Sequence, residues 1–202
     1  MFPLGDPLLP GMVLPLRLFE PRYLQLYADV IDSTREFGVV LIERGIESRD
    51  DAATFDIGCI ASIVGSGVNE DGTIGLITVG RQRIRVEDWL DPDPYPRAMI
   101  ARLDDEPLSD EGLNAVRNAA DRIPDLLQIA AELNPEVNTE LPELADDPGL
   151  AMYQIAQLSG LQALDLQEVL ESSTTDSRAR LVKDKVEETM ELIRLQLEVG
   201  EE

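Results

Sequence analysis

The side chains able to do chemistry in this 202-residue chain are few in kind and lopsided in charge. There is no histidine, which removes Ser-His and Cys-His dyads, the usual zinc ligands and the commonest general base near neutral pH. The one cysteine, Cys59, begins the apolar run Cys59-Ile-Ala-Ser-Ile-Val64, where a small buried side chain is expected rather than a nucleophile. A single cysteine also excludes an internal disulfide framework and a multi-cysteine zinc site. The only lysines are Lys183 and Lys185. Both fall on a solvated helix face, a poor place for a Ser-Lys dyad. Neither a G-x-x-x-x-G-K-[ST] phosphate loop nor a G-x-S-x-G nucleophile elbow occurs.

Carboxylates are plentiful, so some pair of them always looks catalytic. Asp104-Asp105-Glu106 is expected to be a solvated linker, and Asp91 and Asp93, alternating with prolines, a rigid turn. Asn69-Glu-Asp-Gly72 is too short for a calcium loop and lacks the later ligands. No catalytic, cofactor-binding or metal-ligating residue is therefore predicted, and no cofactor. Arg81, Arg83 and Arg85 recur at period two on one strand face. They form either a structural set pairing with acids such as Glu20 or Glu87, the favoured reading, or an anion or peptide-carboxylate site. Trp89 and Tyr95 flank the Asp91–Pro96 corner, as an exposed ledge for a partner or as a cap on one end of the fold.

The elements that position these residues divide the chain near residue 104. Residues 1–103 carry ten basic and sixteen acidic residues, a net of −6; residues 104–202 carry seven and twenty-four, a net of −17. The first part reads as sheet. Strands are predicted at Phe37–Glu43, at Ile57–Val68 with an irregularity at Gly65 or Gly67, at Ile74–Val79, at Arg81–Trp89 and at Arg97–Leu103. Asp71-Gly72 supplies a hairpin turn. One helix interrupts the strands, opening at Pro21 after Glu20 and presenting Tyr23, Leu24, Tyr27, Val30 and Ile31 at helical spacing. The second part reads as helices. One is N-capped by Ser109 and kinked or split by Pro124; others follow at Leu150–Leu158, around Leu166–Leu170 and at Asp176–Val199.

The overall charge of −23 argues against nucleic acid and against an anionic membrane surface, both of which need a basic patch. The opening Met-Phe-Pro-Leu-Gly-Asp-Pro-Leu-Leu-Pro-Gly-Met-Val-Leu-Pro holds four prolines and no basic residue. It is neither a signal peptide nor a membrane helix, and a cytoplasmic location is the expectation. Its low charge is expected to reflect burial, with a few apolar side chains left for a partner: Phe2–Leu4 and Met12–Leu18 as strands, Gly5–Gly11 as a crossover.

Several segments carry a resemblance. They are Phe2-Pro-Leu4, Leu9-Pro-Gly-Met-Val-Leu-Pro-Leu16, Phe19-Glu-Pro-Arg-Tyr23, Phe37-Gly-Val-Val40, Ile57-Gly-Cys-Ile-Ala61, Asp71-Gly72 and Gly80-Arg-Gln-Arg-Ile84. Together they resemble the amino-terminal, substrate-binding domain of Lon proteases over residues 1–103, and more loosely through the helical tail. The resemblance implies an α+β fold, a PUA-like β pseudo-barrel with one inserted helix followed by a C-terminal α-helical bundle, with domains 1–103 and 104–202. It also implies a stand-alone, non-catalytic module without the ATPase and Ser-Lys peptidase of that family.

The expected partner is unfolded or exposed polypeptide, a protease or another protein, with homo-oligomerisation as an option. Met12, Leu18, Phe19, Tyr23, Trp89 and Tyr95 are the predicted partner-binding residues, and Glu20, Arg81, Arg83 and Arg85 the structural or anion-pairing ones. The alternatives are a small carboxylate-based hydrolase, whose mark would be converging acids of raised pKa, and a self-association module.

Overall fold

Strand periodicity and turn chemistry decide the first part of the chain, and capped amphipathic helices the second. The chain was studied as a computed structural model that describes residues 1–44 and 53–200. It divides into two compact units, Met1–Asp104 and Asp105–Glu202.

In the first unit the order is β1 (Phe2–Leu4), β2 (Val13–Leu18), α1 (Pro21–Ile31), β3 (Glu36–Arg44), β4 (Ala53–Val68), β5 (Ile74–Leu90) and β6 (Arg97–Arg102). The sheet runs β1-β3-β4-β5-β2, with β6 also paired to β5. Among the described residues β1 pairs with β3 in parallel, and the other pairs are antiparallel. The hairpin between β4 and β5 turns at Gly72, whose φ of 81° suits glycine. There Asp71 accepts from the Thr73 amide at 3.1 Å. Pro21 opens α1, where its missing N–H costs nothing. Leu8, Leu18, Leu26, Val39, Cys59 and Leu76 are buried together, and the Phe2 ring stacks on Tyr23 at 4.1 Å.

Two strands expected at 74–79 and 81–89 are one, β5. Gly80 does not interrupt it, because the strand is held there on its other side by the crossover: Gly11 donates to the Gly80 carbonyl at 2.8 Å and Gly80 to Met12 at 2.9 Å. The irregularity expected near Gly65 is present as a register shift between Ile63 and Gly65. A second shift, between Cys59 and Ala61, sets both Arg81 and Gln82 against Ile60. It breaks the period-two phase expected along the arginine strand.

The second unit comprises α2 (Asp110–Leu133), α3 (Pro148–Leu158), α4 (Ala163–Glu171) and α5 (Thr175–Gly200). The Ser109 hydroxyl caps α2 by accepting from Gly112, and the Asp147 carboxylate caps α3 by accepting from Leu150. Of the two outcomes expected at Pro124, a kink or a split, the split does not occur: α2 runs through it as one helix. A mid-helix proline costs about 3 kcal/mol. Ile123, Leu126 and Leu127 are buried on either side of it, at roughly 1.5–3 kcal/mol each, so packing outweighs the break. Ser109 meets Asp176, and Glu111 meets Arg180, so α2 and α5 begin at the same end and run in the same direction.

Asp105 is not the solvated linker acid expected. It accepts from Arg178 at 3.1 Å and from the Tyr153 hydroxyl at 3.2 Å. The fully buried Arg178 also donates to the carbonyls of Val169 and Ser172.

Candidate functional site, an apolar cleft beside two strand edges

The two ends of the sheet path, β1 and β2, both line one cleft of about 180 Å³. Phe2, Pro3 and Leu4 come from β1, and Leu16, Arg17 and Leu18 from β2; Phe19, Glu20 and Tyr23 complete it from the entry to α1. Antiparallel pairing explains how β2 presents itself. Gly80 donates to the Met12 carbonyl, so the alternation that follows turns the backbone groups of Leu14, Leu16 and Leu18 toward β5, and those of Val13, Pro15 and Arg17 outward. Pro15 thus places its missing N–H on the unpaired side, as an edge proline should. Pro3 on β1 likewise has no donor. Both edges are poor templates for an added strand, and the cleft offers side chains more than backbone.

Those side chains are mostly apolar. Leu18 is 1% and Tyr23 4% exposed, forming the floor, whereas Phe19 is 67% exposed and stands at the rim. The charged members have local partners. Arg17 pairs with Asp71 and donates to the Thr73 hydroxyl at 3.1 Å. Glu20 accepts from Arg22 at 3.0 Å. Small-molecule pockets span about 300–1,000 Å³. This smaller cleft suits an apolar side chain of a polypeptide, and its chemistry is burial, not bond-making.

Four predicted residues, Leu18, Phe19, Glu20 and Tyr23, come together here. Met12 is half-buried against the core beside them. Trp89 lies on β5, partly exposed, beside Ala98 of β6. Tyr95 packs on the core and donates to Asp29 at 2.8 Å; burial first, then this bond, pushes its hydroxyl pKa upward. Arg83 is buried at 6% exposure while Arg81 and Arg85 are exposed, so the three do not form one open face. Sequence reasoning missed Phe2, Pro3, Leu4, Leu16 and Arg17 as lining. Their signal was the uncharged proline-rich opening itself, but strand content alone does not reveal that β1 and β2 line one cleft.

Charge elsewhere is arranged for structure. Asp71 is held below the ordinary carboxylate range first by bonds from Thr73 and then by Arg17, and Asp176 by bonds from Ser109. A general acid needs the opposite shift. Among the described residues no group of histidine, cysteine, aspartate and glutamate could hold a metal ion.

Cys59 is fully buried, and burial pushes its thiol up to about 12, against opposing effects of Arg81 and Arg83. In the native protein it should react with a thiol reagent at least a hundredfold more slowly than in urea, because the thiolate is the nucleophile. The fold keeps the proton that an unfolded thiol loses near 9.0. Stability should therefore decline as pH rises from there toward 12. Equal labelling rates in the two states would contradict the assignment.

The chain is similar to known proteins. The model of the ATP-dependent protease La (LON) substrate-binding domain matches residues 1–187. The chain is 28% identical over 204 residues to Lon protease 2 of Thermus thermophilus, covering 98% of the chain and 25% of that protein. It is 27% identical over 196 residues to a Lon protease of Roseiflexus castenholzii, covering 96% and 24%. The chain thus spans about a quarter of the length of the curated relatives it matches. Among solved structures, the Lon N-terminal domain protein from Xanthomonas campestris superposes with a TM-score of 0.62 at 24% identity, over 88% of this chain and 91% of that one. The N-terminal domain of Mycobacterium avium complex Lon protease superposes with a TM-score of 0.62 at 20% identity, over 92% and 95%. These likenesses support an α+β fold of the Lon N-terminal type, and the family match extends across both units. The chain belongs to the ATP-dependent protease La (LON) substrate-binding domain family.

Proposed function

We propose that this chain is a non-catalytic module that binds exposed or unfolded polypeptide, and that an apolar side chain of the bound segment enters the cleft beside β1 and β2. The observation that carries this reading is Phe19, a large aromatic residue exposed at the rim of a cleft floored by Leu18 and Tyr23. An aromatic anchor beside an apolar pocket is the usual composition of an interface centre. Family membership supports substrate recognition as the role. Work beside a protease, in the cytoplasm, extends the same reading; among the described residues no helix is long and apolar enough to cross a membrane.

The finer architecture belongs to this proposal too. A PUA-like pseudo-barrel over residues 1–103 is supported by the sheet path, whose first and last strands line one cleft. A helical bundle over 104–202 is supported by the packing of α2 with α5 and by the anchoring of α4 to α5 through Arg178 and Lys185.

A permanently unfolded, fluorescein-labelled reporter protein tests it by anisotropy. Phe19→Ala should weaken binding about 5- to 30-fold. Its stability should stay within about 0.5 kcal/mol of the parent, because the ring is mostly in water. Absence of reporter binding by the parent chain, or equal binding by the variant, would count against the cleft.

A further inference from the structure

The cleft beside β1 and β2 presents its chemistry through side chains, and the backbone around it is a poor ladder. A peptide added as a strand is held by one N–H and one C=O from every second residue of the edge it joins. On β2 the outward-turned positions are Val13, Pro15 and Arg17. Arg17 lines the cleft, whereas Val13 and Pro15 lie outside its lining. Pro15, the next outward position after Arg17, has no N–H to give, so a ladder built there breaks after one donor. The facing wall, β1, is three residues long with Pro3 at its centre, and it cannot supply a run of donors either.

The side-chain surface, by contrast, is held in place by its own packing. Phe2 stacks on Tyr23 at 4.1 Å and tilts against Phe37 at 5.8 Å, which fixes the rings beneath the cleft. The two charged members, Arg17 and Glu20, are engaged with Asp71 and Arg22. A preorganised apolar surface whose charges are already paired asks a ligand for an apolar group and little else.

We propose that the cleft recognises an apolar side chain irrespective of the backbone that carries it. A segment read in either chain direction satisfies it, and so does one with proline beside the anchor. An edge that adds a strand accepts neither so readily, because it needs extended chain with amide donors in register. This inference rests on the polypeptide-binding reading of the cleft and deepens it: the class of segment accepted is set by the side chain alone.

The probes are four short labelled peptides, measured by anisotropy against the full chain. The parent carries one central phenylalanine in a serine- and glycine-rich sequence. The second has ester linkages in place of the amides on both sides of the phenylalanine, which removes two N–H donors at little steric cost. The third has the parent sequence reversed, and the fourth has serine in place of the phenylalanine. The ester and reversed peptides should bind within about threefold of the parent, whereas removing two amide donors from a strand ladder costs roughly five- to a hundredfold. The serine peptide should bind at least about tenfold more weakly, and Phe19→Ala should weaken the other three by a common factor. A larger loss for the ester or the reversed peptide, with the serine peptide still weak, would overturn backbone independence and leave the polypeptide-binding reading standing. No saturable binding of the parent, or equal binding of the serine peptide, would overturn that reading and this inference with it.

Discussion

Gly80→Ala is expected to destabilise the sheet unit by about 3 kcal/mol or more, through a single added methyl group. A Cβ at Gly80 would lie within the van der Waals envelope of the Leu9 carbonyl oxygen and carbon, with the Leu8 side chain behind them. The first obstacle is backbone, which cannot rotate aside. To admit the methyl, the crossover must lift from β5, and the bonds from Gly11 to Gly80 and from Gly80 to Met12 go with it. Overpacking of side chains typically costs about 1–3 kcal/mol, and two backbone bonds add roughly 0.5–1.5 kcal/mol each. Thermal unfolding should show a drop of about 10 °C or more for a unit of this size. Gly67→Ala is the control: its Cβ would meet nothing within 4 Å, and the change should lie within about 1 kcal/mol of neutral. Similar melting of the two variants would refute the close approach. Because the crossover leads directly into β2, Gly80→Ala should also disorganise the cleft and weaken polypeptide binding.

Arg178→Ala should cost about 3–5 kcal/mol in the helical unit. The guanidinium has no exposed surface and its donors point three ways: to the Val169 carbonyl at 3.1 Å, the Ser172 carbonyl at 3.0 Å and Asp105 at 3.1 Å. Its plane also lies over the Tyr153 ring at 5.6 Å. Truncation strands two carbonyls and opens a cavity, and it removes the tie between α5 and the end of α4. Asp105 is one-third exposed, so it turns to water, and the loss stays toward the lower part of the range for breaking a buried pair. Arg178→Lys should retain less than half of the stability at stake, since an ammonium group does not reproduce the planar fork. Asp105→Asn should cost only about 1 kcal/mol. Urea unfolding followed by helical circular dichroism separates these cases. An alanine variant within 1 kcal/mol of the parent would show that the buried arginine is not what ties α4 to α5.

Much of this was legible from residue types alone. The N-caps at Ser109 and Asp147, the proline start at Pro21 and the Asp71-Gly72 turn are local chemistry, and only the Asp147 cap went unread. The burial of Cys59 followed from its apolar run. What escaped was long-range. Gly80 read as punctuation because its role depends on Leu9, about seventy residues away in sequence. Asp105 read as solvated because its partners, Tyr153 and Arg178, lie on later helices. Arg81 read as one row with Arg83 and Arg85 because the bulge that puts Arg81 and Gln82 together against Ile60 depends on pairing with β4. The cleft was half legible: Leu18, Phe19, Glu20 and Tyr23 are contiguous enough to be noticed, whereas its β1 wall is placed by pairing with β3. At Pro124 a strong local signal for a break met burial on both sides, and the helix runs on.

The common direction of α2 and α5 has an electrical consequence. Backbone dipoles of parallel helices add instead of cancelling, leaving the equivalent of about half a unit charge at each helix end. At the starting ends Asp110, Glu111 and Asp176 answer the positive poles. At the finishing ends neither helix has a basic residue in its last turn, so the negative poles stand beside Glu198 without a counterion of their own. The helical unit is thereby polarised, like a weak bar magnet, toward the end that bears Leu195 and Val199. A cation approaching within a Debye length, about 8 Å at physiological salt, is drawn toward that end, and the pull should weaken as salt is raised.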